Sequence, residues 1–287
     1  IGIGTGEHPL AKRAKPIVAR LDALIRKRAQ QAALGRHAAH QQAGATSDVD
    51  GQPTVGFADT YHGKGVTLET ATRLVQVERS VDLGDLEQVI PYALARDIIL
   101  QNPDHIVALE CPCRNARAEP CLPLDVCLIV GEPFAGFIAE HQPQRSRWIT
   151  GDEAAEILQA EHARGHVHHA FFKDAMLGRF YAICNCCSCC CGAMQAHRNG
   201  VPMLAASGYV SQVDEDLCAG CGQCVEMCQF AALALDGGRS VVDLEKCMGC
   251  GVCVDHCTQG AMVLVRDERK GLPLDMQALL SAAEARA

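Results

Sequence analysis

Cys218-Ala-Gly-Cys221-Gly-Gln-Cys224-Val-Glu-Met-Cys228 is followed, 29 residues on (247 less 218), by Cys247-Met-Gly-Cys250-Gly-Val-Cys253-Val-Asp-His-Cys257. Three thiolates at i, i+3 and i+6 wrap a loop around one iron–sulfur cube, and the fourth, three residues further, points away to the other cube. The spacing therefore predicts two [4Fe–4S] clusters. Cys218, Cys221, Cys224 and Cys257 would hold one, and Cys247, Cys250, Cys253 and Cys228 the other. Gly220, Gly222, Gly249 and Gly251 flank the middle cysteines and allow the tight turns of such loops. Zinc sites use two separated pairs of ligands rather than a triple plus one, so a doubled run argues against zinc here. Free thiolates also belong to a reducing compartment, which predicts a cytoplasmic protein.

Working outward, the duplicated segment forms one domain, 209–268, with hydrophobic stretches at 231–235 and 261–265 reading as its short strands. A short C-terminal helix is expected over 269–287. Upstream, 66–208 reads as a cysteine-rich α/β domain. Pro91 fits the first turn of a helix running to Gln101, stopped by Asn102-Pro103. His105 to Glu110 reads as a strand leading to Cys111. Thr150-Gly-Asp-Glu153 is a capping box for a helix that Gly165 closes. Phe180 to Ile183 reads as a second strand, also leading to a cysteine. The fold class is α+β: a helical and α/β cysteine-rich region followed by a two-cluster domain.

Residues 1–65 read as a basic helix, 9–34, and a linker, 35–56. Leu10, Ala14, Ile17, Leu21 and Leu24 share one face of that helix. Residues 1–45 hold eight Lys/Arg and two Asp/Glu, a balance of +6. The whole chain is at -8, so the remainder is at -14. Contact of the basic helix with a membrane surface or membrane subunit is one expectation, which would place the protein at the cytoplasmic face of a membrane complex. Docking on an acidic surface is the plainer one. The acidic main body and an aromatic content of 4% argue against nucleic acid as a partner. The first residue is Ile1 rather than methionine, which reads as a processed or trimmed start.

Ten further cysteines lie outside the duplicated run: Cys111, Cys113, Cys121 and Cys127, then Cys184, Cys186, Cys187, Cys189, Cys190 and Cys191 in the string CNCCSCCC. Adjacent cysteines bridge poorly as disulfides, so metal binding is the better account. Ten thiols can supply two more cubes, one cube and a zinc site, or a non-cubane cluster. One or two additional iron–sulfur clusters are expected, with zinc as the alternative occupant. His166, His168 and His169 form a shorter string, read as a helix-end feature ahead of a metal site. Arg114 is read as an offset to cluster charge or a surface ion pair.

The stretch from about Leu86 to Val265 resembles a family of anaerobe iron–sulfur proteins described as 4Fe–4S binding proteins, whose C-terminal part is a bacterial-type ferredoxin. The resemblance rests on Cys111-Pro112-Cys113-Arg114, on Cys121 with Cys127, on Gly165-His166-Val167-His168, on Cys184 to Cys190, and on the two C-terminal runs. Gln229 and Thr258 depart from it, standing where ferredoxin runs carry proline. The resemblance implies an electron-transfer protein serving redox protein partners within a larger oxidoreductase complex, with no catalytic residues of its own. The alternatives are a catalytic reductase subunit with an unusual cluster at CNCCSCCC, or an iron–sulfur redox sensor.

Overall fold

The computed structural model describes residues 61–77, 81–85, 97–173 and 179–275, all within one compact unit, Ser47–Ala287. The expected basic helix and linker fall outside these residues, as do 276–287, where most of the expected terminal helix lies.

Runs carrying β-branched or aromatic residues, Ile129-Val130 and Phe171-Phe172 among them, form central strands. In chain order the elements are β1 (Tyr61–Val66), α1 (Leu68–Val75), β2 (Val81–Asp85), β3 (Asp97–Leu109), α2 (Pro112–Asn115), β4 (Cys127–Glu132), α3 (Phe134–His141), β5 (Ser146–Ile149), α4 (Gly151–Ala163), β6 (Val167–Lys173) and β7 (Arg179–Cys186). They continue with α5 (Gly192–Arg198), β8 (Leu204–Ala205), β9 (Tyr209–Val213), α6 (Gln223–Met227), β10 (Leu233–Asp236), β11 (Arg239–Val242), α7 (Val252–Asp255) and β12 (Met262–Arg266). The main sheet runs β2-β3-β4-β7-β6-β1-β8, with β5 also on β3.

Alternation along β3 and β4 divides the core between two faces. Ile106, Ala108, Leu128 and Val130 pack with Leu74 of α1 and Leu158 of α4. Val107, Leu109, Ile129 and Ala182 pack with Phe134 and Ala135 of α3. Helices thus cover both faces, so Ile106 to Leu109 and Leu128 to Val130 form continuous apolar runs rather than alternating with polar residues.

The mixed helix and strand content is α+β. The strand-and-helix region expected from about 66 does not follow α/β pairing: every strand pair in the main sheet is antiparallel except β1 with β8. The helix expected from Pro91 to Gln101 is overturned over 97–101, which is strand β3. Asp97-Ile-Ile-Leu100 is a β-branched run whose periodicity fits either state, and pairing with β2 decides it. Asn102, with φ 45°, lies where the β3–β4 register shifts, so Asn102-Pro103 bends a strand instead of stopping a helix. The capping box forms: Thr150 Oγ1 accepts from the Glu153 N–H, and a Glu153 carboxylate oxygen accepts from the Thr150 N–H. Gly165, with φ 80°, follows the end of α4.

In the C-terminal part, β9 pairs with β12 and β10 with β11, both antiparallel. The first and last strands of this module therefore close on each other.

Candidate metal centres

Two small hollows sit inside the C-terminal module. Cys218, Cys221, Cys224 and Cys257 line one, together with Ser240 and Met262. Cys228, Cys247, Cys250 and Cys253 line the other, together with Ser211 and Leu233. Each hollow draws three cysteines from one run and the fourth from the other. The loops reach this geometry through glycines in the left-handed region. Gly220 and Gly249 both have φ 65°, and a Cβ on either would collide with backbone, the carbonyl of Gly238 or of Tyr209.

Donors converge on the sulfurs. The Ser211 N–H points at Cys247 Sγ (3.4 Å), and Ser211 Oγ lies 2.9 Å from Cys253 Sγ. The Ser240 N–H points at Cys218 Sγ (3.5 Å), and Ser240 Oγ lies 2.9 Å from Cys224 Sγ. Ser211 and Ser240 are themselves 29 residues apart, the period of the cysteine runs. Each serine serves the run of the opposite half. Neither serine carries a ligand signal in the sequence, although the same period marks them. Backbone N–H groups of Ser240 and Gly220 hold the Cys218 thiol below its usual range, whereas burial pushes Cys253 up to about 11. Thiolate-stabilising donors, a backbone cradle that admits no Cβ, and four sulfurs around each hollow are the fit that a [4Fe–4S] cluster requires.

The other ten cysteines fall into two groups. Neighbouring strand ends gather the first. Leu109 of β3 is in register with Cys127 of β4, which is in register with Cys184 of β7. Cys111 follows β3, so three adjacent strands deliver sulfur to one end of the sheet. Cys127 and Cys184 lie 3.4 Å apart, and Cys186 and Cys191 lie 3.3 Å apart. Cys113 completes the group between Cys111 and Cys191, and the Gly192 N–H points at its sulfur (3.4 Å). Contact with Cys127, then burial, pushes the Cys184 thiol well up. The strand expected at Phe180 to Ile183 continues to Cys186 and takes Cys184 and Cys186 with it.

The second group is Cys121, Cys187, Cys189 and Cys190, whose sulfurs all lie within 4.8 Å of one another. Cys189 is exposed. Although burial raises it, hydrogen bonds from Cys121, Cys187 and Cys190 bring its thiol below the usual range. Burial and Cys189 push Cys121 up to about 11.

A buried polar network backs the first group. Arg114 is 1% exposed and pairs with Glu161. It also lies 3.0 Å from His166 Nδ1 and donates to the Asn185 carbonyl (3.3 Å). The pair is therefore buried, not at the surface as one reading of the sequence had it. Burial alone would raise the Glu161 carboxyl, but His166 and Arg114 hold it below its usual range. His168 Nδ1 meets Asn185 Oδ1 at 2.6 Å, His162 lies 3.2 Å from His168, and His162 reaches Asp255 at 2.7 Å. His166 and His168 of the string are thus engaged by hydrogen bonds, whereas the buried Nδ1 of His169 has no hydrogen-bond partner among the described residues. His256 likewise faces the carbonyls of Val252 (2.8 Å) and Ala163 (3.1 Å).

The two sulfur-rich regions touch. Cys186, Cys191 and Met194 pack in one cluster with Met248, Val252 and Cys250. Gln229, where a ferredoxin run carries proline, accepts a hydrogen bond from the Ser188 N–H in the middle of CNCCSCCC (2.8 Å). Thr258, its counterpart, is exposed.

Residues 211–258 match the family model of the 4Fe–4S dicluster domain. No curated protein matches the chain. The C-terminal module is a 4Fe–4S ferredoxin-type domain, and the chain is an iron–sulfur protein. No helix among the described residues is long and apolar enough to cross a membrane.

Proposed function

We propose that the protein relays electrons between redox proteins through two [4Fe–4S] clusters, held by Cys218, Cys221, Cys224 and Cys257 and by Cys247, Cys250, Cys253 and Cys228. A further iron–sulfur cluster would sit among Cys111, Cys113, Cys127, Cys184, Cys186 and Cys191. The observation that carries this reading is the pair of hollows within the matched domain, each lined by three sulfurs of one run and the fourth of the other. When bound, such clusters supply one-electron exchange without bond making. The chain's own residues do the rest. Cysteines hold, Ser211 and Ser240 donate toward sulfur, and Leu233, Met262 and Val252 exclude water.

The arrangement gives the relay two ends. Around the first hollow, Cys221 is exposed, and Leu217, Leu235 and Val241 are about half exposed. Exposed Asp214, Glu215, Asp216, Glu226 and Asp236 surround them in sequence. An exposed apolar patch with acidic neighbours suits transient docking of a basic redox partner. The second hollow faces inward, toward Cys186 and Cys191. Electrons would pass between a partner at the first hollow and the six-thiol site by way of the second.

The test is iron and acid-labile sulfide on anaerobically purified protein, with electron paramagnetic resonance after reduction. Two interacting reduced clusters are expected, and Cys257→Ser should remove the signal belonging to the Cys218 loop. A Cys257→Ser protein with only the Cys247-loop cluster perturbed would refute the crossed assignment. Wild-type protein without sulfide would refute the function.

A further inference from the structure

We propose that Cys121, Cys187, Cys189 and Cys190 hold one tetrahedral metal ion, zinc or iron, as a closed centre separate from every iron–sulfur cluster. A single ion bound by thiolates at about 2.3 Å in tetrahedral geometry sets its sulfurs about 3.8 Å apart. Here Cys121 and Cys189 are 3.2 Å apart, Cys189 and Cys190 are 3.7 Å apart, and all four sulfurs fall within 4.8 Å of one another. A cube of irons and sulfides occupies the middle of its ligand set and spreads the thiolates further. The cysteines of the two C-terminal runs form no such tight group, and this is the only one of its kind among the described residues.

The local backbone explains the division of adjacent cysteines. Cys184 and Cys186 are two apart on β7, so both point to one face, toward Cys127 and Cys191. The strand ends at Cys186, and the turn that follows carries Cys187, Cys189 and Cys190 away to meet Cys121. Cys191 then returns to the first group at the start of α5.

The turn is held from outside by long polar side chains. Arg117 donates to the Cys190 carbonyl from Nε (3.3 Å) and Nη2 (3.0 Å). Arg198 donates to the Ser188 carbonyl (3.3 Å), and Gln195 to the Cys189 carbonyl (2.9 Å). A divalent ion with four thiolates carries a net charge of about -2, and two guanidinium groups lie beside it to offset that charge. Four protein ligands leave no open position, so the centre is structural: it ties the irregular 116–126 loop to the CNCCSCCC turn. Zinc and iron both accept this set of thiolates, and iron would add redox activity.

Full-length protein, purified anaerobically, is assayed for zinc, iron and acid-labile sulfide, and examined by X-ray absorption at the zinc and iron edges. The expected result is about one zinc per chain, or about one iron in excess of sulfide, with four sulfur neighbours at about 2.3 Å. Cys189→Ser, at the exposed ligand, should lose that one ion and leave sulfide and the cluster resonances unchanged. Loss of about four sulfides with Cys189→Ser would place a cube at this site and overturn the proposal. So would wild-type protein with no zinc and iron equal to sulfide, a measurement that needs no variant to fold. Either failure leaves the two-cluster relay standing, since that is read from the Cys218 and Cys247 loops alone.

Discussion

Ser211 and Ser240 show what a single hydroxyl contributes in this protein. Each places Oγ 2.9 Å from a cysteine sulfur of the opposite half. With thiolate ligands in place the hydroxyl can only donate, and a donor stabilises the more negative, reduced state. Ser240→Ala should therefore lower the potential of the cluster at the Cys218 loop. A net hydrogen bond of about 1 kcal/mol corresponds to about 40 mV for one electron. Spectroelectrochemical titration measures this, and an unchanged potential would mean the hydroxyl faces elsewhere when the cluster is bound. The cysteine spacing was readable residue by residue because ligation constrains it. The serines were equally periodic, but a serine carries no ligand signal and becomes visible only once its distance to sulfur is known. Arg114 was readable as a charge near cysteines. Its burial against Glu161 depends on α4 lying over the sheet, which no local pattern encodes.

Among the elements, α4 and β6 together set how the protein responds to acid. His168 and His169 on β6 are buried, and burial lowers each from the ordinary histidine value of 6.5 to about 3. Between those values the unfolded chain takes up protons that the folded one refuses. Stability is thus fully present above about pH 6.5 and falls as pH drops below it. The limiting slope is about 1.4 kcal/mol per pH unit for each histidine. Denaturant midpoints between pH 7.5 and 5 should show this loss, and His169→Phe should flatten it; a midpoint independent of pH would contradict the burial. The helix itself was legible end to end, because caps are local chemistry: Thr150, Glu153 and Gly165 announce it. β3 was not. Its first residues fit a helix as well as a strand, and only the pairing partners β2 and β4 decide. The split of CNCCSCCC into two sites was hidden for a similar reason, since it follows from where β7 ends and from its register with β4.

For the molecule as a whole, charge and sulfur are arranged together. Beyond the first 45 residues the chain carries -14, and bound clusters add to it. Electron transfer to a basic cytochrome, used as a probe, should be fast at low salt. It should slow steeply as the screening length contracts from about 30 Å at 0.01 M to about 8 Å at 0.15 M. Stopped-flow mixing across that range tests it, and a salt-independent rate would remove electrostatic docking from the account.

The closing of β9 on β12 has a consequence for biosynthesis. As the chain emerges from a ribosome, Cys218, Cys221 and Cys224 appear early, yet their hollow stays open until Cys257 arrives. The strand that seals the module, Met262–Arg266, comes later still. Cofactor delivery cannot follow the N-to-C order of synthesis. Both hollows close together, only once the second run and the strand after it have been made, and the half-made module must be kept from oxygen and stray metal until then.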